Sequence, residues 1–319
     1  MTTTRTTATP AASAPEAGAL PSDVLRYTAF SDDPAGGNPA GVVLDASGLD
    51  DAAMLAVAAE VGYSETAFLT AAPQEPGAAP AEGASQAEDG GGARAFTVRY
   101  FSPKAEVSFC GHATVASAVA LAERIGPGEV LFRTQAGPVP VSVTAGSAGT
   151  APFATLTSVE PHVTDAADDD VAEALAALDW RRDELDAALP PRIAYAGARH
   201  LVLAAASRAR LADLAYGFDR LAALMHRLDL TTVQLVWRES ETVFHVRDPF
   251  PVGGVVEDPA TGAAAAAFGA YLRDLGLVGP DARLTLHQGH DLGRPSTLTV
   301  ELRAGDPRVR VSGTAVAIG

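Results

Sequence analysis

Phe109-Cys110-Gly111-His112-Ala113-Thr114 is the stretch on which the fold of this chain turns. It follows a strand-like run from Phe96 to Phe101 and opens an Ala/Val/Leu run that reads as a helix over about Ala113–Arg124. The first turn of a helix leaves backbone N–H groups unpaired at the positive end of the dipole, which suits an anion. Glu257-Asp258-Pro259-Ala260-Thr261-Gly262-Ala263 repeats the grammar: it follows the strand-like Thr242–Val246 and opens an Ala-rich helix. Both helices end on glycine, in Ile125-Gly126-Pro127 and in Leu275-Gly276. Two matching half-sites predict a ligand held between two helix N-termini.

Working outward, 319 residues suffice for two domains of about 100 to 150 residues each. With 47% apolar residues, a sizeable core is available. A net charge of −16 argues against nucleic acid or an anionic membrane as partner. It leaves room for a small anionic substrate, because helix dipoles act locally. The single cysteine, Cys110, excludes an internal disulfide or a multi-cysteine metal site and fits a reducing, cytoplasmic setting. No stretch reaches the roughly 18 apolar residues of a membrane span. Residues 1–22 are Thr/Ala/Pro-rich without an apolar leader core, and are expected to form a disordered tail.

The periodicity predicts strands at Val24–Phe30, Ala40–Leu44 and Ser64–Leu69, with a helix from Asp50 to Val61 between the last two. Residues 73–93 are low in bulky apolar side chains and read as an inflated loop on a hairpin of Glu65–Leu69 with Ala95–Phe101. Val130–Arg133 and Val139–Thr144 close a first domain over 23–140. A second, over 150–319, opens with Phe153–Val159 and continues through acidic helices within Asp165–Leu189, strand His200–Ala204 and a helix over Ser207–Arg227. Val233–Trp237, Arg283–His287, Leu298–Leu302 and Val309–Val311 complete its strands, the last of them expected to reach back to the first domain. The repeated order predicts an α+β fold of two pseudo-symmetric domains, each a curled mixed sheet around a central helix.

Glu65 stands in an apolar strand start, where partial desolvation raises a carboxylate pKa and suits a proton shuttle; an exposed strand-edge acid gives the same pattern. His112 serves as a general acid/base or as a satisfied buried histidine. Cys110 serves as a nucleophile at a helix N-terminus or as a small buried hydrophobe. Asp258, before Pro259, projects at a turn, where it orients a substrate amine or caps the next helix. Asn38 in Gly37-Asn38-Pro39 is a turn former and a candidate ligand. Gly111, Ala113, Thr114, Gly262 and Ala263 offer backbone N–H groups. Cys110 with His112 falls short of a metal site, and neither glycine turn matches a dinucleotide or P-loop fingerprint. Cofactor phosphates are therefore not indicated.

Gly37-Asn38-Pro39-Ala40, Ser64-Glu65-Thr66-Ala67-Phe68, Cys110-Gly111-His112-Ala113-Thr114, Glu257-Asp258-Pro259-Ala260-Thr261-Gly262 and Gln288-Gly289…Gly293-Arg294-Pro295-Ser296 occur in this order. Together they resemble the phenazine-biosynthesis PhzF-like family of isomerases, over about Leu25 to the C-terminus. The resemblance implies a fold similar to diaminopimelate epimerase, a cleft between the two halves, cofactor-independent chemistry and a homodimer. It implies Glu65 as the proton shuttle, with His112 and Asp258 lining the same cleft. The expected function is a proton shift on a small carboxylate-bearing metabolite, similar to isomerisation of trans-2,3-dihydro-3-hydroxyanthranilate. An amino-acid epimerase and a non-catalytic binder of small acids are the alternatives. The family usually places serine where this chain has Ala263, which removes a hydroxyl donor.

Overall fold

A run such as Ala113-Thr114-Val115-Ala116-Ser117-Ala118-Val119-Ala120 has no polar face, so a helix built from it must be covered on every side. The computed structural model, which describes residues 24–72, 94–146 and 151–319, covers it with a ring of strands. The expected tail over 1–22 and the loop over 73–93 lie outside the described residues.

The first half runs β1 (Leu25–Ala29), β2 (Asn38–Val43), α1 (Asp51–Val61), β3 (Glu65–Ala71), β4 (Arg94–Phe101), the short β5 (Glu106–Val107), α2 (Gly111–Ile125), β6 (Gly128–Thr134), β7 (Gly137–Thr144) and β8 (Phe153–Thr157). The second runs β9 (His162–Asp165), α3 (Asp168–Leu178), β10 (Arg192–Tyr195), β11 (Arg199–Ala204), α4 (Arg208–Ala212), α5 (Phe218–Leu228) and β12 (Thr232–Arg238). It continues through β13 (Val243–Pro249), the short β14 (Glu257–Asp258), α6 (Gly262–Asp274), β15 (Arg283–Gln288), β16 (Ser296–Arg303) and β17 (Asp306–Ala317).

Pairing exposes the internal repeat. β1–β2 is antiparallel, β2–β3 parallel, β3–β4 antiparallel, β4–β6 parallel, and β6–β7–β8 antiparallel. The series β10–β11–β12–β13–β15–β16–β17 alternates in the same way. In each half a two-residue strand folds back on its predecessor (β5 on β4, β14 on β13), and the central helix follows at once. This is the α+β architecture expected: α2 and α6 each lie inside a curled mixed sheet. Both helices are narrow because the space inside such a sheet is narrow. A Cβ at Gly269 of α6 would stand 2.6 Å from Val300 Cγ1.

Two expectations are adjusted, for β8 and for the helix over Ser207–Arg227. β8, expected to open the second half, pairs with β7 and β17 and so completes the ring around α2. β9 stays within its own half and pairs with β10, while the long β17 pairs with β16 and reaches back to β8 and β1 of the first half. β17 is twelve residues long because Gly313 lets the strand pass Phe30, whose Cδ1 would lie 2.4 Å from a Cβ there. The helix expected over Ser207–Arg227 breaks into α4 and α5, since the Gly217 N–H turns to Ala177 O of α3. Among the described residues no helix is long and apolar enough to cross a membrane.

Candidate active site

The five sequence motifs meet at one place, where the N-termini of α2 and α6 face each other. A Cβ at Gly111 would lie 3.8 Å from Gly262 Cα, so glycine at both positions allows this approach. Phe30 supports the junction in a left-handed conformation (φ 65°), rare for a bulky residue. Its N–H donates to Thr314 O at 2.7 Å and its carbonyl accepts from Thr297 N–H at 2.8 Å.

Asn38 enters on β2 after the Gly36–Gly37 turn. Gly37 needs its positive φ (64°), because a Cβ would stand 2.4 Å from Ala29 O. Arg294 clamps this turn from the other half, donating from Nε to Gly37 O at 2.8 Å and from Nη2 to Gly36 O at 2.6 Å. The Asn38 amide then faces three acceptors: Asp258 Oδ1 at 2.8 Å, His112 Nδ1 at 3.1 Å and Ala260 O at 3.1 Å. A donor at Nδ1 leaves the proton of a neutral His112 on Nε2. Nε2 lies 3.4 Å from Glu65 Oε2 and 3.3 Å from Ser64 Oγ. Glu65 is the first residue of β3 and its side chain is 14% exposed.

Asp258 accepts on both oxygens, from Asn38 and from Thr261 Oγ1 at 2.5 Å. Gln288 holds this loop, donating from Nε2 to Asp258 O at 2.8 Å and accepting from Thr261 N–H at 3.0 Å. Asp258 therefore does not cap α6; Thr261 occupies that position and makes no side-chain cap bond. Burial, reinforced by the charge of Glu65, pushes the Asp258 carboxyl up to about 6, against the opposing pull of His112 and the bonds from Thr261 and Asn38.

That shift has a stability consequence. An acid with a folded pKa above its unfolded value favours the fold when protonated, and the advantage is lost as pH rises from about 4 to about 6. Asp258→Asn is therefore expected to be more stable than the parent at pH 8, by about 1–3 kcal/mol. The gap should close toward pH 4. Urea midpoints at three pH values check this, and a gap independent of pH would contradict it.

Sequence reasoning missed one member of the cluster, Asp248, and left two others, Cys110 and Gln288, without a role. Cys110, which the sequence left open between nucleophile and packing residue, has Sγ 3.6 Å from Glu65 Oε2 and 3.3 Å from His112 Nδ1. Burial, then the Glu65 charge, pushes its thiol well up, so it stands protonated. Asp248 pairs with Asp258 across β13 and β14 and is fully buried. Burial holds its carboxyl well above the usual range, and it accepts from Thr232 Oγ1 at 2.8 Å. An acid between apolar neighbours on the inward-facing positions of the strand, after Phe244 and Val246, was the available signal. Gln288 was visible only as part of a motif.

One expected donor is corrected. Thr114 N–H already bonds Cys110 O at 3.1 Å, and its hydroxyl donates to the same oxygen at 2.6 Å. The first-turn N–H groups without intrahelical acceptors are those of Gly111, His112 and Ala113 in α2 and of Gly262, Ala263 and Ala264 in α6.

Glu65, Cys110 and His112 place one ligand atom each within 4.8 Å of one another. A metal there would require the thiolate, which burial disfavours, and would compete with Asn38 for Nδ1. The arrangement serves proton transfer better: a carboxylate, a thiol and an imidazole in mutual contact. Of the three, Glu65 lines a cleft of about 620 Å³, together with Ser64, Lys104, Phe250 and Val252, while Cys110 and His112 are buried behind it.

A family model described as phenazine biosynthesis-like protein, PhzC-PhzF, matches residues 27–319. An uncharacterized isomerase of Mesorhizobium japonicum is 32% identical, covering 92% of this chain and 96% of its own. The trans-2,3-dihydro-3-hydroxyanthranilate isomerase of Pseudomonas chlororaphis is 29% identical, covering 91% and 95%. The crystal structure of the Bacillus anthracis phenazine biosynthesis protein of the PhzF family superposes with TM-score 0.75 and 26% identity, covering 93% and 96%. With both the motifs and the doubled fold matched along nearly its whole described length, the chain belongs to the PhzC-PhzF family, phenazine biosynthesis-like proteins whose curated relatives are named isomerases.

Proposed function

We propose that this member of an isomerase family moves one proton between two carbons of a small carboxylate-bearing metabolite, with Glu65 taking and returning it. The observation that carries the reading is the Glu65 carboxylate, on the wall of the cleft, 3.4 Å from His112 Nε2 and backed by Asn38 and Asp258. In this step Glu65 removes a proton from a carbon conjugated with the substrate carboxylate. The electron pair left on carbon delocalises into that acid. First-turn N–H groups of α2 and α6 stabilise the charge as it spreads. Glu65 then returns the proton to a second carbon on the same face, so no other reactant is consumed. His112 and Asp258 hold hydroxyl or amino substituents of the substrate.

The substrate class is a cyclic, unsaturated amino or hydroxy acid, after the Pseudomonas chlororaphis relative. Ala263 offers its N–H but no hydroxyl, which shifts preference among such acids. An epimerase needs groups on both faces of one carbon. Cys110 instead sits against Glu65, at 3.6 Å, and so supplies no opposite face.

Incubation in D₂O with trans-2,3-dihydro-3-hydroxyanthranilate and related unsaturated amino acids, followed by proton NMR, tests the reading. The expected result is an isomerised product carrying at most one deuterium, at the newly protonated carbon. Saturable binding of these acids with no isomerisation and no exchange would make the chain a binding protein and end the proposal.

A further inference from the structure

Three of the seven histidines in the chain gather away from the cleft, on the outer side of the second sheet. His245 of β13 pairs directly with His287 of the parallel β15, and His290 follows three residues on. Side chains alternate along β13, so His245 points to the face opposite Asp248. The three rings form a triangle, with centroids 5.2 Å (His245–His287), 5.3 Å (His287–His290) and 6.1 Å (His245–His290) apart. Imidazoles bound tetrahedrally at about 2.0–2.1 Å place their ring centres about 5 Å apart. The triangle has that size.

The hydrogen bonding assigns the lone pairs. His245 Nε2 contacts Glu239 Oε2 at 2.6 Å. A carboxylate accepts, so the proton of the neutral ring is on Nε2 and Nδ1 is bare. His245 Nδ1 and His287 Nδ1 are both buried atoms without a hydrogen-bond partner. A carboxylate on the far nitrogen of a histidine whose near nitrogen is unpaired is the second shell that metal-binding imidazoles use. Asp291 is engaged by Arg208 through two bonds of 2.9 Å, so it neutralises that cation and is not a ligand.

We propose that His245, His287 and His290 form a binding site for one divalent transition-metal ion of the zinc, nickel or copper class. Glu239 orients His245, and water completes the coordination. Three imidazoles select this class over magnesium or calcium, which prefer oxygen ligands. The ligand nitrogens of the three do not all lie within 4.8 Å of one another, as the ligand atoms of Glu65, Cys110 and His112 do. The exposed His290 ring turns inward to close the site. The ion would tie β13 to β15, and so to the Gln288 that holds the Asp258 loop.

Calorimetric titration of the full chain with Zn²⁺ at pH 7.5, repeated with Ni²⁺ and Mg²⁺, tests the site. One equivalent of Zn²⁺ or Ni²⁺ is expected to bind, and Mg²⁺ not to. His245→Ala and His287→Ala should each weaken binding at least tenfold, and Glu239→Gln by about tenfold or more. Cys110→Ser should leave the affinity unchanged. Trp237 lies 5.4 Å from His245, so Cu²⁺ should quench its fluorescence, and Trp237→Phe should remove that quench while keeping the calorimetric site. Absence of stoichiometric binding overturns the proposal, as does binding abolished by Cys110→Ser and kept by the histidine variants. Circular dichroism confirms that each variant is folded, and His290→Ala gives a further arm at an exposed position.

Discussion

Glu65→Gln is expected to reduce turnover of an accepted substrate by about 10²–10⁴-fold, the span that a positioned general base contributes. Glutamine keeps the size and the hydrogen-bonding reach of the side chain, so the fold and the contact with His112 should survive. What it removes is the ability to take a proton. The substrate carboxylate is assigned to helix-terminal N–H groups that the substitution does not touch, so binding of a non-reacting analogue should stay within a fewfold of the parent. Loss of turnover with binding retained is the diagnostic pair. Turnover within about tenfold of the parent would remove Glu65 from the role.

Arg247→Met is expected to cost about 3–5 kcal/mol of stability, the largest loss foreseen for a single polar substitution here. Arg247 donates to Glu257 through Nε at 3.0 Å and Nη2 at 2.5 Å, and its Nη1 reaches Ala212 O at 2.7 Å. The Glu257 side chain is 1% exposed and that of Arg247 10%. Methionine would leave a buried carboxylate with no cation. Breaking such a pair is costly mainly because of the charge left behind, so replacing both partners should recover most of the loss. A double-mutant cycle with Glu257→Leu, read by urea midpoints, checks this. Additive losses in the double variant would mean that each side chain acts independently. Because Glu257 adjoins Asp258 on β14, Arg247→Met should also depress turnover, and the double variant should restore stability more than activity.

Much of the site was readable beforehand because local chemistry demanded particular residues. A glycine turn that must admit a neighbouring backbone leaves a glycine, as at Gly111 and Gly262. A helix enclosed by strands leaves a run of alanine, as in α2 and α6. Glu65, His112, Asp258 and Asn38 were marked by those turns and by the resemblance built on them, and the structure brings all four together. Cys110 and Asp248 were harder to place. Each role depends on what lies across the chain: Glu65 beside the thiol, Asp258 and Thr232 around the acid. Thr114 went the other way, since a first-turn motif does not reveal that the helix has already taken its N–H.

By itself, the sequence determined the two half-sites, the central helices, the doubled α+β plan and the family, all of which are written in local periodicity and in residues that only certain backbone conformations accept. Only the tertiary structure decided which strands β8, β9 and β17 pair with, which acids share a proton environment, and that three outward histidines stand together. Asn38 and Asp258 are 220 residues apart and 2.8 Å apart in space. No local pattern encodes that distance; it follows from β17 crossing back to β1 and drawing the two helix N-termini into contact.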